Sequence, residues 1–192
     1  MKKIILIGSG GHAKSCVDVI EMEKKFKIVG FVDKNSKKLL GYKKIGSDDD
    51  LKKLLKITKY AHIGIGQIKN DNFREKIFLK LKKIGFKLPI IISPRAYVSK
   101  NSKIKEGTII MHDVLVNAGS EIGKNCIINT KSLIEHDTKI SDHCHIATSA
   151  IVNGACKIGK NSFVGSSSVI RQGIVVKKNS FIKAKSLIYK NN

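Results

Sequence analysis

The hydrophobic pattern of the chain changes period near residue 94. From Val98 to Ile188 every sixth residue is Ile or Val: Val98, Ile104, Ile110, Val116, Ile122, Ile128, Ile134, Ile140, Ile146, Val152, Ile158, Val164, Ile170, Val176, Ile182 and Ile188. Ile and Val make up 42 of the 192 residues, so chance agreement over this run is on the order of 10⁻¹⁰. Four residues after each aliphatic the residue is small, as at Ser102, Ser120, Thr138 and Ala150, with Val114 and Ile174 as the exceptions. A helix would repeat every 3.6 residues and a flat strand every 2. A period of six fits neither; it predicts a parallel β-helix in which three hexapeptides make one coil. Each branched aliphatic then points into a narrow prism, and the small residue tucks in beside it near the corner. Fifteen hexapeptides predict five coils, roughly 24 Å tall at the spacing of paired strands. Cys126, Cys144 and Cys156 fall in the small slots and are read as core fillers.

The first ninety residues follow another pattern. A β-branched run at 3–7 leads into Gly8-Ser9-Gly10-Gly11-His12-Ala13, and helical spacing continues through Cys16, Val17, Val19 and Ile20. A second strand at 27–32 ends at Asp33. Gly8, Gly10 and Ala13 fit a glycine fingerprint between strand and helix, with an acidic residue twenty positions on. That arrangement gives an anion access to backbone N–H groups at a helix N-terminus. A helix at 48–56, a strand at 60–64, a helix at 70–84 and a strand at 89–92 complete the expected elements. The segment is too short for a full dinucleotide fold and matches one mononucleotide-binding half. The predicted organisation is an α/β half-Rossmann-like domain over 1–93, then an all-β parallel β-helix over 94–192.

Composition narrows the function classes. The formal charge is +22, but only three of 37 basic residues are arginines, and there is no Trp. Base reading relies on Arg forks and strand binding on interleaved aromatics, so nucleic acid is not expected and anionic small molecules are. No apolar run approaches the roughly 18 residues needed to span a bilayer. The apolar run at the start is only four residues long, short for a signal peptide. The expectation is a cytoplasmic protein without membrane insertion. No CxxC pair is present and no disulfide is expected.

With GSGGHAKS at its start and INTKSLIEHD within the repeat, the whole chain resembles the NeuD/PglD family of hexapeptide-repeat acetyltransferases. The resemblance implies a left-handed β-helix, acetyl-CoA as co-substrate and a homotrimer. It also implies acetylation of a UDP-linked 4-amino-4,6-dideoxy sugar on nitrogen for bacterial surface glycan synthesis, with O-acetylation of sialic acid or a related nonulosonic acid as the alternative. By the same resemblance Gly10, Gly11, His12, Asp33, Gly66 and Arg74 are candidate contacts to the nucleotide sugar. The family's Gly-Asn-Asn after the third strand is replaced by Gly66-Gln67-Ile68-Lys69-Asn70. A Gly-Asn-Pro-Ala-Lys-like tail that touches coenzyme A in relatives is missing, leaving Lys183 and Lys185 as candidate phosphate partners.

Acetyl transfer needs a group that removes a proton from the acceptor, and imidazole suits that task near neutral pH. His136 lies two residues past an inward aliphatic and therefore projects from the prism, with Ala118 and Gly154 eighteen residues to either side. The matching family histidine is the general base. Asp137 or Glu135 is expected to hold its ring, Asp137 being favoured. His145 matches a second family histidine that helps to position acetyl-CoA, and Gly154 is expected to offer its N–H to the thioester oxygen. His112 and His143 are expected at the surface and His62 in a structural role. A zinc site of the γ-carbonic anhydrase type is not expected from the histidine spacing. A covalent cysteine mechanism and a non-enzymatic scaffold are the remaining alternatives.

Overall fold

A computed structural model describes residues 1–35, 38–68 and 72–191. The N-terminal part is a five-stranded sheet of order β3-β4-β2-β1-β5. Its strands are β1 (Lys2–Ile7), β2 (Phe26–Val32), β3 (Lys38–Leu39), β4 (Tyr42–Gly46) and β5 (Ala61–Ile63), with helices α1 (Gly11–Glu23), α2 (Leu51–Leu54) and α3 (Phe73–Ile84). β1 runs parallel to β2 and β5, as an open mononucleotide-binding sheet requires. The β3–β4 hairpin is an element that the sequence reading lacks. Its turn places Leu40 at φ 45° and Gly41 at φ 80°. A leucine in the left-handed region is no turn signal, so the strand–turn–strand is hidden. Helix α2 is shorter than the expected 48–56. Lys69 and Asn70, where the next helix was expected to begin, lie outside the described residues.

The strand expected at 89–92 does not close this sheet. Ile91–Ile92 pairs in parallel with Ile109–Ile110 and opens the prism. From there seventeen two-residue strands run to Leu187–Ile188, in three sheets of six, five and six. The eighteen-residue offset holds throughout: Val98, Val116, Ile134, Val152, Ile170 and Ile188 stack on one face. The inward aliphatics are 0–3% exposed from Ile110 to Ile182. The prism is therefore a dry core, with each side chain worth about 1.5–3 kcal/mol of burial.

The small slots do more than fill space. The Oγ atoms of Thr108, Ser120, Ser162 and Ser168 donate to the carbonyls of Gly123, Glu135, Lys177 and Lys183 at 2.7–2.9 Å. Cys126, Cys144 and Cys156 make the same contact through sulfur, to Ser141, Gly159 and Arg171 at 3.2, 3.1 and 3.0 Å. The slot thus selects residues that are small and carry a donor. It ties each coil to the next one along the axis.

The three faces differ. The outward residues of the first face are all apolar: Tyr97, Leu115, Leu133, Ile151, Val169 and Leu187. The second begins with Lys103, Glu121, Lys139 and Lys157. The third carries Ile91, Ile109, Ile127, His145 and Phe163, all buried beneath the N-terminal part. One apolar cluster runs from α1 (Ala13, Cys16, Val17, Ile20) through Ile91 and Ile109 into the prism.

Polar ties flank that cluster and correct two surface assignments. His143, expected on the surface, is 5% exposed. Its ring meets Phe78 edge-on, and its Nδ1 lies 2.9 Å from Asn125 Nδ2. His112 accepts from Ser93 Oγ at 2.7 Å and donates to Asp18 Oδ2 at 2.9 Å. This Ser–His–Asp set has the composition of a catalytic triad, but Ser93 is 1% exposed and its Oγ accepts the Arg95 N–H. It serves as a latch between α1 and the prism.

Candidate active site

The candidate residues fall on two separate surfaces. The first is a cleft of about 1220 Å³ at the carboxyl ends of β1, β2 and β5, where open α/β sheets take their ligands. Gly10, Gly11, His12, Asp33 and Gly66 all line it. Gly8 makes the sharp exit from β1: its φ is +95°, and a Cβ there would stand 2.5 Å from Ile65 Cγ1. The Gly8 N–H donates to Val32 O at 2.8 Å, which fixes the loop. Gly10 and Gly11 have nothing within 4 Å of a Cβ position, so their backbone is open to a ligand. Asp33 accepts from Ser9 Oγ at 2.7 Å and from the Asn35 N–H at 2.9 Å. Ser9, Asp48, Asp49, Gln67 and Lys80 also line the cleft and were missed. They sit in loops and on a helix face with no periodic signal.

Arg74 is where the structure departs from the sequence reading. It is 2% exposed and does not line the cleft. Its Nη1 donates to Ile63 O at 2.7 Å and Ile65 O at 2.6 Å, and its Nε reaches Asn125 O at 3.4 Å. Lying in the first turn of α3, it is a strut that fastens the cleft floor to the prism rather than a contact to ligand. Its charge is felt around it. Burial, then Arg74, holds His62 down at about 3. His12 is lowered by burial first, then Arg74, His145 and His62.

His145 belongs to the same junction. Its Nδ1–H donates to Gln67 O at 2.6 Å, and Asn129 Nδ2 lies 3.2 Å from its Nε2. Both ring nitrogens are thus engaged within the chain. In this arrangement it holds the Gln67 edge of the cleft instead of presenting a free nitrogen to acetyl-CoA. Gln67 answers with a bond from Nε2 to His143 O at 2.9 Å.

The second surface is centred on His136. It lies on the corner between the first and second faces, across the prism from the covered third face. Its Nδ1 is 2.9 Å from Asp137 Oδ2. A carboxylate can only accept, so Nδ1 carries the proton in this contact, and in the neutral ring Nε2 is the acceptor. Asp137 occupies the left-handed corner position, at φ 60°. Two glycines one coil away make the room. A Cβ on Gly154 would stand 2.6 Å from His136 Nε2, and one on Gly119 would stand 2.3 Å from Asp137 Oδ1. Gly119 was missed, although it lies eighteen residues before Asp137. Glu135 does not touch the ring: it accepts from Asn117 Nδ2 at 2.8 Å and from the His136 N–H at 3.3 Å.

The cysteines do not offer a nucleophile. Burial raises Cys16 to about 12 and pushes Cys144 and Cys156 upward as well, which keeps them as thiols. Among the described residues no group of three or more His, Cys, Asp or Glu could hold a metal ion, and no helix is long and apolar enough to cross a membrane.

Comparison with known proteins agrees with both halves. Residues 3–81 match the family model described as PglD N-terminal domain, and residues 92–191 match that described as GMPPB C-terminal domain. The second match spans half of the chain and places the β-helix in that domain family. No curated protein matches the chain. Among solved structures, a mutant of perosamine N-acetyltransferase from Caulobacter crescentus, in complex with CoA and GDP-perosamine, aligns with TM-score 0.93 at 26% identity, covering 100% of this chain and 90% of that one. The acetyltransferase domain of PglB from Neisseria gonorrhoeae aligns with TM-score 0.93 at 28% identity, covering 100% and 93%. The same domain in complex with acetyl coenzyme A gives 0.91 at 27%, covering 99% and 92%. Over its whole length the chain shares the architecture of these acetyltransferases, with the PglD N-terminal domain match in its first part and the GMPPB C-terminal domain family, to which it belongs, in its prism.

Proposed function

We propose that the chain transfers acetyl from acetyl-CoA to the amino group of a UDP-linked 4-amino-4,6-dideoxy sugar, with His136 as general base. The observation that carries this reading is the Asp137–His136 pair, whose Nε2 looks over Gly154 into open space. The amine nitrogen attacks the thioester carbon, the N–C bond forms, and the carbonyl oxygen becomes an oxyanion. His136 Nε2 takes the proton that the nitrogen sheds. Asp137 stabilises the resulting imidazolium and keeps the ring in one tautomer. The C–S bond then breaks, and the thiolate leaves with that proton. Gly154 N–H is the proposed donor to the oxyanion. A neutral amine attacks before it loses its proton, so it asks less of the base than a hydroxyl would.

The nucleotide half of the acceptor is assigned to the cleft, where Gly10 and Gly11 open the N-terminus of α1 to a diphosphate. The relative from Caulobacter holds a GDP-sugar, so the decisive experiment offers both nucleotides. Calorimetry is expected to show UDP binding, and UDP is expected to inhibit competitively against the acceptor. GDP binding without UDP binding would overturn the uridine assignment. Efficient acetylation of free sialic acids with neither nucleotide bound would favour the nonulosonic acid reading instead.

Cleft and base lie on opposite sides of one prism, so the complete site requires a second copy. The apolar first face borders His136 and leaves Leu115 36% and Leu187 64% exposed, a ladder suited to a neighbouring prism. We therefore expect a homotrimer, with acetyl-CoA held between protomers. Light scattering checks this: a catalytically active monomer of 21.2 kDa would sink the shared site.

A further inference from the structure

The charge of the prism changes abruptly along its axis. Residues 101–142 carry five Lys and six Asp or Glu, whereas residues 143–192 carry eight Lys or Arg and no acidic residue. The same repeat on the same scaffold is thus close to neutral in its first half and carries only basic charge in its second. A lysine-rich composition throughout the chain does not remove acids from one end alone. The last coil also breaks the outward pattern. On the second face the column Lys103, Glu121, Lys139, Lys157 ends in Val175, which is 40% exposed. On the third face, beyond the cover of the N-terminal part, Phe181 stacks on Phe163 at 5.1 Å and stays 51% exposed. Tyr189 is 58% exposed beside Lys190. The coil over residues 175–190 shows apolar side chains interleaved with Lys177, Lys178, Lys183, Lys185 and Lys190. None of these lysines takes part in an ion pair among the described residues.

We propose that the last coil is a docking end for an anionic phospholipid surface. Apolar groups set among lysines are the signature of interfacial binding: the lysines meet the headgroups while Val175, Phe181 and Tyr189 reach the acyl boundary. The side chains splay around the end of a prism, which suits a deformable surface better than a small ligand that needs a concave site. In a parallel trimer three such ends face the same way, and their contacts reinforce one another. Apart from this reinforcement by the expected trimer, the inference rests on no part of the acetyl-transfer reading.

The test is co-sedimentation of the full chain with vesicles of phosphatidylcholine alone or with about one third phosphatidylglycerol. Binding to the anionic vesicles is expected to be at least about tenfold tighter and to weaken with salt. The double variant Lys183→Glu/Lys185→Glu is expected to lose at least about tenfold, and Phe181→Ser at least about threefold. The matched control Lys103→Glu/Lys105→Glu, at the other end of the prism, should stay within about twofold of wild type, since charge outside the contact is largely screened. An equal loss in the control, equal binding to phosphatidylcholine, or binding of soluble polyglutamate without any vesicle binding would each overturn the proposal.

Discussion

Replacing His136 with alanine is expected to lower kcat by at least about 10²-fold, within the usual 10²–10⁴ range for a general base, while leaving fold and assembly intact. The His136 side chain is 54% exposed, so its removal opens no cavity. The inward aliphatics on either side, Ile134 and Ile140, are untouched. The structure also supplies a second variant that keeps the imidazole. In Gly154→Ala the new methyl would stand 2.6 Å from Nε2 and 2.7 Å from Cε1, so the ring must swing away from Asp137 or the coil must shift. A loss comparable to that of His136→Ala is expected, with an unchanged melting curve. Steady-state kinetics with a competent amino-sugar acceptor decide the matter. Wild-type turnover by His136→Ala would remove the base from His136. Wild-type turnover by Gly154→Ala would show that the Nε2 position seen here is not the working one.

The prism was legible because one physical rule repeats. Every coil asks for a branched aliphatic inside and a small residue at the corner, so sixteen positions testify to the same structure. The same arithmetic placed Gly154 against His136, since eighteen residues make one coil, and it would have placed Gly119 against Asp137. It could not show why serine, threonine and cysteine fill the small slots, because the hydrogen bond to the next coil is a contact across fifteen residues. The junction was least legible. Arg74 enters the sequence reading as a ligand contact through the family resemblance alone. Its three backbone acceptors come from Ile63, Ile65 and Asn125, and nothing in local sequence announces a partner fifty-one residues away. His143 was assigned to the surface for the same reason: corner residues of a prism face solvent unless another part of the chain covers that corner.

That buried junction carries the second large prediction, a loss of stability in mild acid. His62 is 1% exposed with neither ring nitrogen hydrogen-bonded, and burial, then the Arg74 charge, holds it at about 3. His145 is held at about 4, again by burial with a contribution from Arg74, against the opposing effect of its bond to Gln67. Both would titrate near 6.5 in the unfolded chain. Between these values the unfolded chain binds protons that the native fold refuses, so the unfolded state binds more and stability rises with pH. The contribution is complete above about pH 6.5 and is lost as pH falls, until the native rings themselves protonate near 4 and 3. At pH 5 each ring costs about 2 kcal/mol, and the pair about 4 kcal/mol. For a chain of this length that is a fall in Tm of roughly 8–16 °C from pH 7.5 to 5. Against the opposing effect of burial, Lys160 and Asn161 hold Glu75 below the ordinary carboxylate range, and Lys82 holds Glu106 down, so both titrate on the acid side of this window. Thermal melts across that range provide the measurement. His62→Leu, which keeps the buried volume and removes one titration among the depressed histidines His12, His62, His143 and His145, should flatten the slope by that ring's share. A Tm independent of pH between 7.5 and 5, or an unchanged slope in His62→Leu, would show that these rings are not held neutral beneath the cleft.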